Sequence, residues 1–378
     1  MRLLSLALLC LLAAPLRAEE RPPTPAELNG RAPFQQAIAN LRRITTPNGI
    51  EETRKVKLGG VEQWITIRGR DRANPVLLVI HGGPGTPTMP LSWAYQNPWE
   101  DYFTVVNWDQ RGAGKNWKDT DAEALAKTMS LDRLAADANE LVDRLRAELH
   151  KPKILVLGFS YGTVIGAKLA IEHPQGIAAY IGVGQFFDGA ERDVYAGALA
   201  RARAAGDKEG IAALEAMAPY PKPDGSVQPQ QLVEVRRWVK KYNGAWYGWP
   251  DLQLLYQLPI LAPEYDNKDL TEWPIANSWF GMSLNKELTK GGSLGTLGYR
   301  FRVPVLFFMG RNDLMTPYAT ARRYFDRIEA PTKRFVTFEN SAHFVMLEEP
   351  GRFFEALLSI ARPLAIAKSG SKISAAGK

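Results

Sequence analysis

Gly158-Phe159-Ser160-Tyr161-Gly162 places one serine between small residues at a point where the local pattern changes. The apolar run Ile154 to Leu157 before it reads as a buried strand, and Tyr161 to Ile171 after it reads as a helix. A tight strand-to-helix turn of this kind needs small flanking residues and holds its central serine strained and exposed. The following helix N-terminus favours negative charge developing nearby. Ser160 is therefore a candidate nucleophile for acyl transfer. A Gly-Ser-Gly turn arising by chance would not need a strand and a helix on its two sides.

A serine nucleophile needs a base, and there are only four histidines to choose from. His81 ends an apolar run, which suits a structural role. His150 and His173 stand at helix ends. His343 alone follows a late strand, Arg334 to Phe338, as the order Ser, acid, His requires. The acid is expected after the preceding strand, Val303 to Met309, which runs into Gly310-Arg311-Asn312-Asp313. Asp313 in that place would fix the His343 tautomer and stabilise the imidazolium. Asp188 and Glu339 remain alternatives, and Asp313 would otherwise only cap the next helix. His81-Gly82-Gly83-Pro84-Gly85 follows the run Val76 to Ile80, and its glycines let backbone N–H groups approach a substrate oxygen. The N–H groups of Gly83 and Tyr161 are the expected oxyanion hole. Losing one such donor costs about 3–4 kcal/mol of barrier.

These residues must be carried by a particular scaffold. The chain has 378 residues, 46% hydrophobic and 23% charged, enough for one large domain with an insertion or for two domains. Lys55 to Leu58 and Val61 to Ile67 around Gly59-Gly60 predict a hairpin. Val76 to Ile80, Phe103 to Trp108, Ile154 to Leu157 and Ile177 to Val183 predict buried strands. Ser130 is placed to cap a helix carrying Leu134, Ala138, Leu141 and Leu145 on one face. Strands alternating with helices give an α/β fold, a mostly parallel sheet covered on both faces. The alternation stops at residues 185–302, which read as a helical cap rich in Trp, including Trp238, Trp246, Trp249, Trp273 and Trp279. It resumes over 303–365. The core is thus expected in two parts, 51–184 and 303–365.

The ends read differently. Residues 1–18 combine Arg2, an apolar run from Leu3 to Leu12 and a small-residue site at Ala18, which predicts a secretory signal peptide and export to the periplasm or beyond. The run is too short to span a bilayer. Residues 19–50 read as a Pro-rich arm and 366–378 as a disordered basic tail with Lys368, Lys372 and Lys378. The one cysteine, Cys10, lies in the leader, so the mature chain is expected to hold no disulfide and no thiolate site. A net charge of +7 without a basic module gives no reason to expect nucleic acid as a partner.

His81-Gly82-Gly83-Pro84-Gly85, Trp108-Asp109-Gln110-Arg111-Gly112-Ala113-Gly114, the Ser160 pentapeptide, Gly310-Arg311-Asn312-Asp313 and Ala342-His343 together resemble the proline iminopeptidase family of α/β hydrolases. The resemblance covers roughly 50–184 and 303–363. It implies an α/β-hydrolase fold with a helical cap, a triad of Ser160, Asp313 and His343, no cofactor or metal, and release of an N-terminal residue, typically proline, from small peptides. Phe159 and Tyr161 stand where the family more often has Gly and Trp, and Asn116 where Ser is common. Family aminopeptidases hold the substrate amine with acidic cap residues. Glu191 is the foremost candidate here, with Asp193, Glu234, Glu264 and Asp266 behind it, although each also suits a solvated cap surface. Asp109 and Arg111 are expected to pair with each other and brace the loop beside the site.

Three functions follow from these residues. The first is an exported aminopeptidase of this type. The second keeps the triad but acts on a carboxylic ester or another acyl compound, since fold and triad do not choose between substrates. The third is a binding protein that kept the fold and lost turnover, against which an intact triad argues.

Overall fold

The structure, a computed structural model, describes residues 28–248, 253–284 and 298–366. The leader read at 1–18, the basic tail from 367 onward and Trp249 lie outside these residues. In chain order the strands are β1 (Ile50–Leu58), β2 (Val61–Gly69), β3 (Val76–Ile80), β4 (Thr104–Trp108), β5 (Ile154–Phe159), β6 (Ile177–Val183), β7 (Val305–Gly310) and β8 (Lys333–Phe338). The main helices are α1 (Ala32–Leu41), α2 (Leu131–Glu148), α3 (Gly162–Glu172), α4 (Ala190–Ala204), α5 (Lys208–Glu215), α6 (Pro229–Lys241), α7 (Asn267–Ser283) and α8 (Tyr318–Arg327).

The strands form one sheet in the order β1-β2-β4-β3-β5-β6-β7-β8. β1 and β2 pair antiparallel and so do β2 and β4, while every later pairing is parallel. The hairpin turns on Gly59 and Gly60, both at positive φ, as a two-residue turn demands. β1 begins five residues before the predicted Lys55, the other predicted strands shift by a residue or two at their ends, and β3 and β6 keep the predicted limits.

Covering both faces explains why the central strands are apolar without alternation. Val76, Leu78, Ile80 and Val156 face Leu134, Leu141 and Leu145 of α2 and Val164 and Ile165 of α3. Leu77, Val79, Leu155 and Leu157 face the other way, toward Trp99, Phe353 and Leu357. Ser130 caps α2 by accepting the Arg133 N–H at 3.0 Å. This packing makes β5 a rigid central strand, and Ser160 stands just beyond its carboxyl end.

Between β6 and β7 the sheet gives way to helices. Val194, Ala198, Leu214, Val235 and Trp238 from α4, α5 and α6 bury one another in a small core of their own. Trp238 thus serves packing, while Trp246 stacks on Phe344, next to His343, at 5.3 Å.

The arm read at 19–50 is more than a linker. Pro33 opens α1, where a missing N–H costs nothing. Arg31, just before it, is buried and donates to Asn267 Oδ1 at 2.7 Å and to the carbonyls of Ile260 and Tyr265 at 2.8 Å. Gln35 donates to the Ala262 carbonyl at 2.6 Å. The arm therefore straps segment 260–267 of the insertion onto the sheet domain.

Candidate active site

The elbow is built by close approach. Gly162 packs so tightly under β3 that a Cβ there would stand 2.1 Å from the Ile80 carbonyl oxygen. Only glycine lets the chain turn back at this point. Ser160 pays for the turn with φ +52°, in the left-handed region that non-glycine residues avoid. Three bonds hold it there. Its N–H donates to the Val183 carbonyl at 2.9 Å, and its own carbonyl accepts from the Thr163 N–H at 2.9 Å and the Thr163 hydroxyl at 2.6 Å.

His343, after β8, is 3% exposed and donates from Nδ1 to Asp313 Oδ2 at 2.9 Å. With that proton committed, Nε2 is the nitrogen left to accept one. Asp313, after β7, is itself fixed. Its Oδ1 accepts the N–H groups of Met315 at 2.8 Å and Thr316 at 2.9 Å, and its Oδ2 accepts the Thr316 hydroxyl at 2.8 Å. Of the alternative acids, Glu339 is turned to solvent and binds Arg311 through both oxygens. Phe159 lies 5.0 Å from the His343 ring and walls it in.

Ser160, His343 and Gly83 line one cavity of about 420 Å³ under the cap, together with Phe159, Leu91, Met315 and Phe344. Gly83 sits at φ +110°, and the loop carrying it presses on the nucleophile: a Cβ on Gly82 would stand 2.7 Å from Ser160 Cβ. Tyr161 leads into α3 as the residue flanking its first turn. The positions named from sequence as nucleophile, base, acid and oxyanion loop thus meet at the carboxyl edge of the sheet.

His81 is excluded as a base by its bonds. Nδ1 donates to the Gly82 carbonyl at 3.0 Å and Nε2 accepts the Gln110 N–H at 3.1 Å. Burial pushes its pKa down to about 4, so it stays neutral and ties the Gly83 loop to the loop after β4.

The expected Asp109–Arg111 pair does not form. Arg111 turns to α2 and binds Asp137 through Nε at 2.5 Å and Nη2 at 2.8 Å, with both residues buried. Asp137 also accepts from Gln63 at 2.9 Å. Adjacent turn residues point apart, and the carboxylate that Arg111 needs lies on a helix that sequence proximity does not reveal. Removing one partner strands a buried charge, so Asp137→Ala should cost about 3–5 kcal/mol of stability, read by urea denaturation. Asp109 instead accepts the Lys115 N–H at 2.9 Å and the Tyr265 hydroxyl. Burial pushes its carboxyl up to about 7. Lys115 Nζ reaches on to Asp269 at 2.7 Å, so this loop anchors α7.

The acidic cap candidates are all engaged elsewhere. Glu191 is neutralised by Arg236 and accepts the Tyr220 hydroxyl at 2.7 Å, away from the cavity. Asp193 binds Arg323 and Thr320. Glu234 binds Arg237 and the Trp238 indole N–H, Glu264 binds Arg42, and Asp266 caps α7. Among the described residues lining the cavity there is no carboxylate. Of the cap residues that do line it, Leu270, Trp273, Pro274 and Asn277, sequence reasoning singled out Trp273 among the cap tryptophans and missed the other three. Their spacing of three, four and seven residues was a signal, but nothing in it told which helical face turns to the site.

Among the described residues no helix is long and apolar enough to cross a membrane. Comparison with known proteins agrees with this architecture. The probable aminopeptidase YbaC of Bacillus subtilis is 28% identical over 84% of this chain and 99% of its own length. A proline iminopeptidase of Neisseria meningitidis serogroup A is 24% identical over 65% of this chain and 76% of its own length. Among solved structures, a proline iminopeptidase-related protein of Thermus thermophilus superposes with a TM-score of 0.55 at 19% identity, covering 84% of this chain and 99% of that one. A membrane phospholipase A superposes with the same TM-score of 0.55 at 16% identity, covering 89% and 93%. Residues 76–356 match the alpha/beta hydrolase family, and the chain belongs to it.

Proposed function

We propose that this protein is a serine hydrolase that releases an N-terminal residue from small peptides through an acyl-enzyme. One observation carries the chemistry: Ser160, on its strained turn, shares a cavity with a histidine whose other nitrogen is held by Asp313 at 2.9 Å. Ser160 Oγ attacks the substrate carbonyl while His343 Nε2 takes its proton. The oxyanion formed is held by the N–H groups of Gly83 and Tyr161. The intermediate collapses as His343 returns the proton to the leaving amine. Water, deprotonated by His343, then hydrolyses the ester on Ser160 and restores the serine. The names of the relatives support a peptide substrate. Export rests on the composition of residues 1–18.

The apolar wall of the cavity favours a second reading, hydrolysis of a small carboxylic ester by the same steps. A fluorophosphonate probe and a panel of prolyl and alanyl arylamides, dipeptides and short p-nitrophenyl esters test both. The expected result is covalent labelling of Ser160 and turnover of an aminoacyl amide. Esters cleaved far faster than any aminoacyl amide would select the second reading, and no labelling at all would overturn both.

A further inference from the structure

Glu348 ends the short helix Val345–Glu348, and its half-buried carboxylate gathers backbone N–H groups from two parts of the chain. The Ala342 N–H donates to both of its oxygens, at 3.0 and 3.1 Å, and the Phe344 N–H donates to Oε2 at 2.8 Å. These two residues flank His343. The Tyr247 N–H, from the cap, donates to Oε1 at 2.5 Å. Burial pushes the Glu348 carboxyl above its ordinary pKa, and the three N–H groups pull the other way. The cap reaches the triad at further points. The His343 N–H donates to the Ala245 carbonyl at 3.1 Å, and the Trp246 ring stacks on Phe344. The Leu314 N–H, next to Asp313, donates to the Gly244 carbonyl at 2.8 Å. Segment 244–247 of the cap is thus bonded to the turns that carry both the base and the acid.

We propose that Glu348 is a positioning residue for His343, joining the turn that carries the base to cap segment 244–247. The inference rests on the reading of Ser160 and His343 as nucleophile and base, and it adds a residue to that reaction. Glu348 lies outside the lining of the cavity, whereas His343 is part of it. It therefore acts through the histidine and not on the substrate. Backbone N–H groups cannot be reversed, so this position needs an acceptor on both sides. A carboxylate is one, and an amide is not. Whichever way a glutamine turns, its NH₂ meets the N–H of Phe344 or that of Tyr247. It keeps the base turn or the cap, and releases the other. The adjacent Glu349 differs. Its Oε2 alone serves the Asn340 N–H at 3.1 Å and the Ser341 hydroxyl at 2.7 Å, so a glutamine there keeps both bonds and loses only a surface pair with Arg352.

The test compares Glu348→Gln, Glu348→Ala and Glu349→Gln with wild type on the best substrate of the panel. Active sites are first counted by fluorophosphonate labelling carried to completion, so that kcat refers to competent enzyme. Glu348→Ala is expected to lower kcat per labelled site about 10²-fold, the scale of a catalytic group displaced by roughly 1 Å. Glu348→Gln is expected to lower it about tenfold, and KM should change little in either variant. Glu349→Gln should keep kcat near that of wild type. If the alanine variant does not fold, the glutamine variant keeps the shape of the side chain and carries the comparison. A merely structural role reduces the number of labelled sites and leaves kcat per site intact, and that result overturns the proposal. So does a loss carried by KM alone, or an equal fall in kcat for Glu349→Gln. Wild-type enzyme that resists the probe sinks the nucleophile reading, and this proposal with it; labelled wild type beside an unimpaired Glu348→Ala sinks the proposal alone.

Discussion

Ser160→Ala is expected to reduce kcat by about 10⁶-fold, the largest effect of any single substitution in this chain. The alanine keeps the backbone turn but removes the attacking oxygen. His343 then has no proton to take, and its bond to Asp313 no longer contributes to the reaction. Catalysis should not vanish, because Gly83 and Tyr161 can still polarise a bound carbonyl toward attack by water. The variant should fold, since Ser160 is held by its backbone bonds to Val183 and Thr163 and not by its hydroxyl. Relief of the hydroxyl leaves φ +52° in place, so a modest change in melting temperature is the expected accompaniment. Steady-state kinetics on the best substrate of the panel, with circular dichroism as a folding check, measures this. Retention of more than a hundredth of wild-type kcat by a folded variant removes Ser160 from the mechanism.

The contrast between what sequence showed and what it concealed follows contact range. The placement of Ser160, Asp313 and His343 near one another was legible because each follows a strand, and the order of a parallel sheet brings strand ends together whatever the intervening loops do. The hairpin at Gly59-Gly60 and the cap at Ser130 were legible because their hydrogen bonds close within a few residues. Arg111 was misread for the opposite reason. Its carboxylate, Asp137, belongs to α2, and a charged residue's nearest neighbour in sequence is seldom its partner in space. Glu191 shows the same limit, since Arg236 lies on a separate helix of the insertion. The arm at 19–50 looked like a linker by composition, yet Arg31 finds three acceptors in segment 260–267. The insertion was hardest to read because its helices divide their apolar residues between a small core and the cavity wall. Trp238 went to the first and Trp273 to the second.

Asp313→Asn is the second large effect, with kcat expected to fall about 10⁴-fold and KM to change little. The direction follows from the bonds around the carboxylate. Oδ1 accepts two backbone N–H groups, from Met315 and Thr316, and those donors cannot be reversed. An asparagine must therefore keep its oxygen on that side and turn its NH₂ toward Thr316 and His343. The NH₂ then donates to His343 Nδ1, which moves the ring proton to Nε2. The nitrogen beside Ser160 becomes a donor and can no longer accept the serine proton. Asp313→Ala gives the control, because it leaves the tautomer unconstrained while removing the same carboxylate. The tautomer argument requires the isosteric asparagine to be at least as damaging as alanine, although it preserves shape and two of the hydrogen bonds. Pre-steady-state acylation rates for both variants decide it. An asparagine enzyme ten times faster than the alanine enzyme would show that Asp313 supports the loop after β7 and leaves the His343 proton alone.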